Sequence, residues 1–152
     1  MWMSKKPVAI NVTDASTLVI PATAPATVVT WSGALAVSVG DVVRVSGGWL
    51  YWCVSAGNTH AATEPSHESG DATDGSATMR RLYQDRNQLV LVNDSAVVMY
   101  LGIGAAAEAN KGIRLNANGG SMNFLEYGKV PECAIYAIGA SAGPSVLGIQ
   151  EG

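Results

Sequence analysis

The stretch GDVVRVSGGWLYWCVSAG, from Gly40 to Gly57, decides the fold because it has the pattern of a β-hairpin. Residues 42–47 alternate between two unlike sets of side chains, which is the period-two pattern of a strand. Gly47-Gly48 supplies the positive φ that a tight two-residue hairpin turn requires. The return strand, from Trp49 to Ser55, is rich in the aromatic and β-branched residues that fit a half-buried pleated surface.

Both faces of this return strand are large and apolar. Alternate residues of a strand point to opposite faces, so the two faces consist of Trp49, Tyr51 and Cys53 on one side and Leu50, Trp52 and Val54 on the other. We expect one face to meet the core of this chain. The other face is expected to meet a loop, a second subunit or a ligand.

The composition favours an all-β protein that hides much of its surface in an assembly. A chain of 152 residues is about one domain, or two small ones. Charged residues make up 14%, against roughly 25% in ordinary soluble domains, and there are 17 glycines and a single Phe. Few charges therefore remain to solvate an exposed surface. The net charge of −3, without a run of Lys or Arg, argues against a nucleic-acid partner.

Membrane insertion, secretion and cysteine chemistry find no support in the sequence. No apolar stretch approaches the roughly 18 residues of a membrane span, and MWMSKKPVAI lacks the pattern of a secretory signal. Cys53 and Cys133 have no metal-ligand spacing. We expect two reduced thiols in a protein made in the cytoplasm, and a disulfide between them stays an open alternative.

About a dozen short strands, with turn signals every ~8–12 residues, predict the fold class. We predict an all-β protein of short antiparallel strands forming a β-sandwich or small barrel, organised as one or two small β-subdomains. The predicted parts are an N-terminal arm with the first strands (1–30), a module of the hairpin and a long loop (31–84), and a C-terminal β-meander or sandwich module (87–152). In the arm, Trp2 and Met3 are expected either to dock on a neighbouring subunit or to be disordered.

The long loop from Ala56 to Ala77 is small, polar and acidic, and its length is typical of a functional or disordered segment. It holds six candidate metal ligands: His60, Glu64, His67, Glu68, Asp71 and Asp74. The glycines and proline among them argue against the helix that their spacing would need, and a calcium loop would need further acidic ligands. We therefore expect no metal and no cofactor, and instead a solvated loop or an intersubunit contact.

Catalysis is not expected either. The chain has no phosphate-cradling loop and no HExxH motif. Acid–base catalysis would need two carboxylates, or a His and a partner, held close together. Turn formation explains the acidic residues outside the long loop without any chemistry. The sequence predicts a protein that is not an enzyme.

A cluster of aromatic and basic residues is the candidate contact surface. Trp31, Trp49, Tyr51 and Trp52 suit either an aromatic platform for a sugar or the core and interface of a small β-domain. We favour core and interface for most of them, with one ring left exposed. Arg80 and Arg81, with Arg86 nearby, suit a bridge to a neighbouring subunit; the alternative is a solvated strand edge, where ion pairs contribute only ~0–1 kcal/mol.

Two segments resemble modules of tailed-bacteriophage virion proteins. The first, from about Trp31 to Leu82, carries Gly40-Asp41-x-Val43, Gly47-Gly48-x-x-Tyr51-x-Cys53-x-x-x-Gly57, Pro65, and Asp74-Gly75 before Met79-Arg80-Arg81-Leu82. This series resembles a pattern of phage tail, fibre and head-decoration proteins, and is similar to small chitin-binding-type carbohydrate modules. The pattern usually has Trp after Asp-Gly where this chain has Met79. That departure weakens the expectation of sugar recognition, because an indole is the usual platform for a pyranose ring.

The second segment, from about Asn87 to Glu151, contains LVLVNDSAVVMYLGIG, GIRLNANGGSMNFL and AIYAIGASAGPSVLGIQE. These stretches resemble the C-terminal β-module of phage capsid-decoration or fibre-base proteins. Together the two resemblances cover most of the chain after Trp31.

The resemblance implies a non-enzymatic virion structural protein, and the leading hypothesis is a capsid decoration (cement) protein on the head surface. Its partners would be the major capsid protein and further copies of itself, as a trimer or dimer. The alternatives are a glycan- or receptor-binding module of a tail fibre, and a neck or baseplate connector. For the glycan reading, the Trp49 to Cys53 hairpin and the long loop would supply the contacts.

Overall fold

The computed structural model of the protein describes residues 8–23, 25, 27–82, 86–125, 130–143 and 145–151. The described residues form fifteen strands and no helix, which confirms the predicted all-β class. Accordingly, no helix in the described ranges is long and apolar enough to cross a membrane. In chain order the strands are β1 Val8–Val12, β2 Thr17–Ile20, β3 Val29–Thr30, β4 Ala36–Val37, β5 Val42–Arg44, β6 Leu50–Ser55, β7 Gly57–Asn58, β8 Asp71–Asp74, β9 Ala77–Leu82, β10 Leu89–Asn93, β11 Met99–Ile103, β12 Ile113–Leu115, β13 Gly120–Phe124, β14 Ile135–Gly139 and β15 Ser145–Glu151.

The chain divides into two compact units. Unit 1 comprises Met1–Thr23 and Asp85–Gly152, and unit 2 comprises Ala24–Gln84. The sequence-based division instead grouped the first strands with the arm in residues 1–30. In the structure, β1 pairs with β15 and β2 pairs with β14, so the first two strands belong to the same unit as the last ones.

Unit 1 consists of two four-stranded antiparallel sheets. Their strand orders are β1-β15-β10-β13 and β12-β11-β14-β2. The strands β10, β14 and the first part of β15 alternate between buried and half-buried residues, as expected for strands that face a core on one side. Leu91, Ile135 and Leu147 are completely buried. The arrangement is consistent with a small β-sandwich, and the strands that the structure describes do not close into a barrel.

Unit 2 has a mixed five-stranded sheet, β3-β5-β6-β9-β8, and a two-stranded sheet, β4-β7. Among the strand pairs that the structure describes in this unit, only β3–β5 is parallel. One face of the larger sheet forms the core of the unit, in which the buried residues are Val37, Val43, Val45, Tyr51, Cys53, Ala77 and Met79, with Trp31 and Leu35 packed against them.

The predicted hairpin is present, but its turn is longer than expected. The strands β5 and β6 pair in antiparallel register, with Val43 opposite Tyr51. The backbone N–H of Val45 donates to the carbonyl of Trp49, and that of Gly48 donates to the carbonyl of Val45. This pattern is that of a three-residue loop, residues 46–48, rather than a two-residue turn. Gly48 alone in this loop has a positive φ, +82°.

The long polar stretch is more ordered than its composition predicts. It contains β7 and β8, and β8 forms a hairpin with β9 in which Asp74 lies opposite Ala77. Gly75 has a φ of +67°, and a Cβ on this residue would lie 2.4 Å from the carbonyl oxygen of Asn58. This turn therefore requires glycine, both for its conformation and for the close approach of the loop backbone.

Candidate functional site

The four predicted aromatic residues differ sharply in exposure. Tyr51 and Trp52 are buried, with 0% and 2% of their surface exposed, and Trp31 is half-buried. Trp49 retains 40% exposure. Both faces of the return strand are thus covered within the chain up to Cys53, and the ring that remains at the surface lies next to the hairpin loop. This agrees with the expectation of one exposed ring.

Tyr51 and Trp31 connect the sheet to the long loop. The hydroxyl of Tyr51 donates to the carbonyl of His67 at 2.9 Å, and the indole Nε1 of Trp31 donates to Oδ2 of Asp74 at 3.2 Å. The other carboxylate oxygen of Asp74 accepts the backbone N–H of His60 at 2.8 Å. Since Asp74 is itself buried, these bonds satisfy groups that would otherwise be costly to bury.

Arg80 is also directed inward. Its guanidinium lies 5.3 Å from the centre of the Trp52 ring, within the range of a cation–π contact. Its Nη2 donates to Oδ2 of Asp71 at 2.9 Å, and the Arg80 side chain is only 6% exposed. The charge of Arg80 is therefore neutralised inside unit 2, which differs from the expected bridge to a neighbouring subunit.

Arg86, the third arginine of that prediction, lies in unit 1 and is buried as well. Its Nε contacts Glu151 at 2.9 Å, while Nη1 and Nη2 donate to the carbonyls of Pro131 and Pro21 at 2.7 and 3.0 Å. A buried guanidinium with three partners joins the end of β15 to the segments after β2 and before β14. Its role is structural.

Trp49 lines an open groove of about 250 Å³ at the end of the hairpin. The remaining lining residues are Val45, Gly47, Glu64, Pro65 and Ser66. The guanidinium of Arg81 lies 3.8 Å from the centre of the Trp49 ring, and this stacking fixes the indole from one side. Of the six predicted contact residues, the structure brings Trp49 and Arg81 together at the surface.

Glu64 fixes the opposite wall of the groove. Its two carboxylate oxygens accept the backbone N–H of Ser46 at 3.0 and 3.1 Å, and Oε2 also accepts the Ser46 hydroxyl at 2.6 Å. The long loop is thereby attached to the hairpin loop. The groove consequently has a rigid apolar wall, a carboxylate and the side chain of Ser66.

His67 lies beneath this loop, against Tyr51, with 5.0 Å between the two ring centroids. Its Nε2 is buried and has no hydrogen-bond partner among the described residues. Burial lowers the pKa of His67 below its ordinary value of 6.5, while the nearby Asp71 acts in the opposite direction. The neutral imidazole is therefore the form that fits the folded unit.

Three other polar residues of the loop have partners that explain them. The Nδ1 atom of His60 accepts the backbone N–H groups of Ala62 and Thr63 at 3.2 and 3.0 Å. Asp71 pairs with Arg80, and Asp74 has the two donors described above. Within the described ranges, no group of three or more His, Cys, Asp or Glu side chains is placed to hold a metal ion.

Met79, which stands where the resembled pattern usually has Trp, is fully buried in the core of unit 2. The side chain at this position cannot serve as a surface platform in this fold. Trp49, which keeps an exposed ring, is a separate feature.

The two arm residues and the two cysteines are the remaining residues singled out from the sequence. The arm residues Trp2 and Met3 lie outside the described residues, so their docking stays a prediction. Cys53 is buried, Cys133 is exposed, and both are free thiols in the structure. Burial raises the pKa of Cys53, which keeps this thiol protonated and unreactive.

The sequence indicates the long loop as a whole for the glycan reading, but it singles out neither Pro65 nor Ser66 and offers Glu64 only as a candidate metal ligand. The bond between Glu64 and Ser46 joins residues 18 positions apart. No periodic pattern connects such positions, and the length of the polar loop was the only available signal.

The fold and the groove define an all-β protein of two units, one of which carries a small surface groove with an exposed indole. Comparison with protein-family models, with curated proteins and with solved structures gives no match.

Proposed function

We propose that this protein is a non-enzymatic structural protein of a tailed-phage virion, namely a capsid decoration (cement) protein that stabilises the assembled head. The resemblance of the two segments to virion modules supports the proposal. The structural observation that supports it most is the edge strand β13 in unit 1. Further copies of the chain, or the major capsid protein, would add to this edge.

The strand β13 lies at one end of its sheet and pairs with β10 on one side. Ser121 and Asn123 are exposed, and Leu125, directly after the strand, keeps 57% exposure. Residues 120–125, GSMNFL, contain no charge and no proline. Proteins that avoid edge-to-edge association usually protect an edge strand with charged residues or proline. An edge without them is suited to pairing with another chain.

Stabilisation of the head would follow from mass action. A protein that binds the assembled lattice, and not its dissociated subunits, shifts the equilibrium towards the lattice. Closed cyclic symmetry, as a trimer or dimer, would cover strand edges between copies. The low fraction of charged residues fits a chain with much of its surface in contact with other subunits.

The test places lysines on this edge. In the variant S121K/N123K, both substitutions are at exposed positions, so the fold should persist while the added charges oppose pairing. The matched control is A106K/A109K, which adds the same charge at exposed positions of the same unit, between β11 and β12 and outside the strands. Light scattering gives the oligomeric mass, and co-sedimentation with phage heads measures attachment.

We expect the unmodified chain and A106K/A109K to oligomerise and to sediment with heads. We expect S121K/N123K to lose at least tenfold both in oligomer formation and in attachment to heads. An unmodified chain that is monomeric and stays in the supernatant would contradict the proposal. Equal losses in the two variants would show that the β13 edge is not the specific contact.

A second candidate function is favoured by the groove at Trp49: a glycan- or receptor-binding module of a tail fibre. An exposed indole in a groove is a feature of ligand sites as well as of protein interfaces. Imaging of intact particles with an antibody against the chain separates the candidates. Label on the head supports decoration, label on the fibre supports the receptor module, and label at the neck or baseplate supports a connector.

A further inference from the structure

We infer that the groove formed by Trp49, Glu64, Pro65 and Ser66 binds a neutral pyranose ring of a glycan. The inference deepens the second candidate by naming its ligand class, and it does not depend on the head-decoration proposal. It concerns residues of unit 2 only, and none of them belongs to the β13 edge.

The groove is built before any ligand arrives. Arg81 holds the indole at 3.8 Å, and Glu64 ties the long loop to Ser46 through the backbone N–H and the hydroxyl. Pro65 adds a side chain with little conformational freedom. Because these walls are already ordered, binding would cost little further entropy.

The charges around the groove select for a neutral ligand. Arg81, whose guanidinium lies over the Trp49 ring, and Glu64, in the groove wall, carry opposite charges, so a charged ligand that is attracted by one of them is repelled by the other. A neutral ligand meets neither repulsion. The ligand that fits this groove best is therefore uncharged and offers an apolar surface to the indole.

The polar groups of the groove select for hydroxyl donors. An ionised carboxylate has about four acceptor sites. The Ser46 backbone N–H is shared between both oxygens of Glu64, and the Ser46 hydroxyl goes to Oε2. Oε1 therefore keeps acceptor capacity for a ligand hydroxyl, and Ser66 supplies a further donor and acceptor. A pyranose has both required features, an apolar C–H face and a rim of hydroxyl groups.

The size of the groove agrees with a pyranose as the ligand. Its volume of about 250 Å³ is below the roughly 300–1,000 Å³ of pockets for drug-sized ligands. The open shape suits a ring that is part of a longer chain. We therefore expect one or two sugar units to make contact while the rest of the glycan stays in solvent.

The experiment is saturation-transfer NMR on the full chain with methyl glucoside, methyl galactoside, methyl mannoside and N-acetylglucosamine oligomers at millimolar concentration. At least one neutral sugar should receive saturation at its ring C–H protons, since these face the indole. Glucuronic acid and glucosamine are the charged probes and should bind at least tenfold more weakly than their neutral counterparts.

Three variants identify the groove. W49A should weaken binding at least tenfold, and E64Q should weaken it severalfold, because the carboxylate acceptor is lost. V39A is the control, since Val39 is another exposed apolar residue of unit 2 that does not line the groove. It should bind like the unmodified chain. Circular dichroism checks that each variant is folded, and W49F, which keeps a smaller ring, replaces W49A if that variant unfolds.

The inference is overturned if no neutral sugar of the panel binds, if a charged probe binds more tightly, or if the Trp49 variants bind like the unmodified chain. A loss of binding in V39A equal to that in W49A also overturns it. These outcomes are independent of sedimentation with phage heads, so a failure of this inference and a failure of the decoration proposal can be told apart.

Discussion

The two units of this protein are stabilised in different ways. In unit 1, strands with alternating burial form regular ladders, and the buried Arg86 and Asn93 provide the main polar links. In unit 2, much of the chain is irregular, and single side chains attach the long loop to the sheet: Asp74, Thr59, Glu64 and Tyr51. The difference shows that a loop of polar composition can be ordered when its polar groups bond to backbone on distant segments.

The variant R86M should give the largest loss of stability, and it tests unit 1. It removes the partner of Glu151 and of two proline carbonyls in a buried site, and breaking such a buried pair costs about 3–5 kcal/mol. Denaturant unfolding measures the loss, and hydrogen exchange locates it. We expect faster exchange first in peptides of unit 1, which contains Arg86 and its partners.

The control is R114M, in which the same change is made at an exposed arginine of β12. Its effect should stay within about 0.5 kcal/mol. If the two variants are equally stable, Arg86 does not connect the segments of unit 1 in the way described.

The variant D74N should have the next largest effect, in unit 2. It places an amide N–H₂ against either the indole of Trp31 or the backbone N–H of His60, so one charge-assisted bond is lost, at about 2–3 kcal/mol. Tryptophan fluorescence in a W2F background reports the unfolding of unit 2, because the remaining tryptophans are Trp31, Trp49 and Trp52.

The matched control is D41N. Asp41 is exposed and accepts the nearby backbone N–H of Ser38, so its replacement should cost less than about 1 kcal/mol. If D74N unfolds at the same denaturant concentration as D41N, the buried carboxylate does not hold the loop in place.

The smallest expected effect is a dependence of the stability of unit 2 on pH. Burial holds the pKa of His67 below 6.5 in the folded state, so the unfolded chain binds more protons as the pH falls below that value. The contribution of His67 to stability is therefore complete above about pH 6.5 and decreases as the pH falls through it. Urea unfolding of the W2F protein between pH 7.5 and 5 measures how the free energy of unfolding changes with pH.

In the variant H67F, the ring against Tyr51 is kept while the titrating group is removed. The change of the unfolding free energy between pH 7.5 and 5 should become smaller, because the variant removes one of the two histidines of the chain. An unchanged pH dependence would show that His67 is not responsible.

The local pattern of residues predicted most of unit 1. The sequence predicts strands at residues 8–12, 17–20, 88–92, 134–138 and 145–149. In the structure, β1 and β2 have these bounds, and β10, β14 and β15 lie within two residues of them. In unit 2, the hairpin was predicted, whereas its three-residue loop and the strands β7 and β8 were not. Alternation carries no signal for strands of two residues or for short strands rich in Asp and Thr.

The candidate site was predicted only in part. The concentration of aromatic residues in residues 49–52 indicates a strand with two apolar faces, but composition does not say which ring stays exposed. Trp49 is exposed because it lies at the loop end of the hairpin, and Tyr51 is buried because the long loop passes over it.

The sequence alone determined the all-β class, the central hairpin and the excess of aromatic surface, because alternation and turn residues act over two to four positions. Tertiary structure alone decided the groove, since its walls come from Trp49 and from a loop about fifteen residues later. It also decided the partners of Arg86, two of which are 65 positions away. Contacts over such distances depend on how the backbone folds, and no local pattern records them.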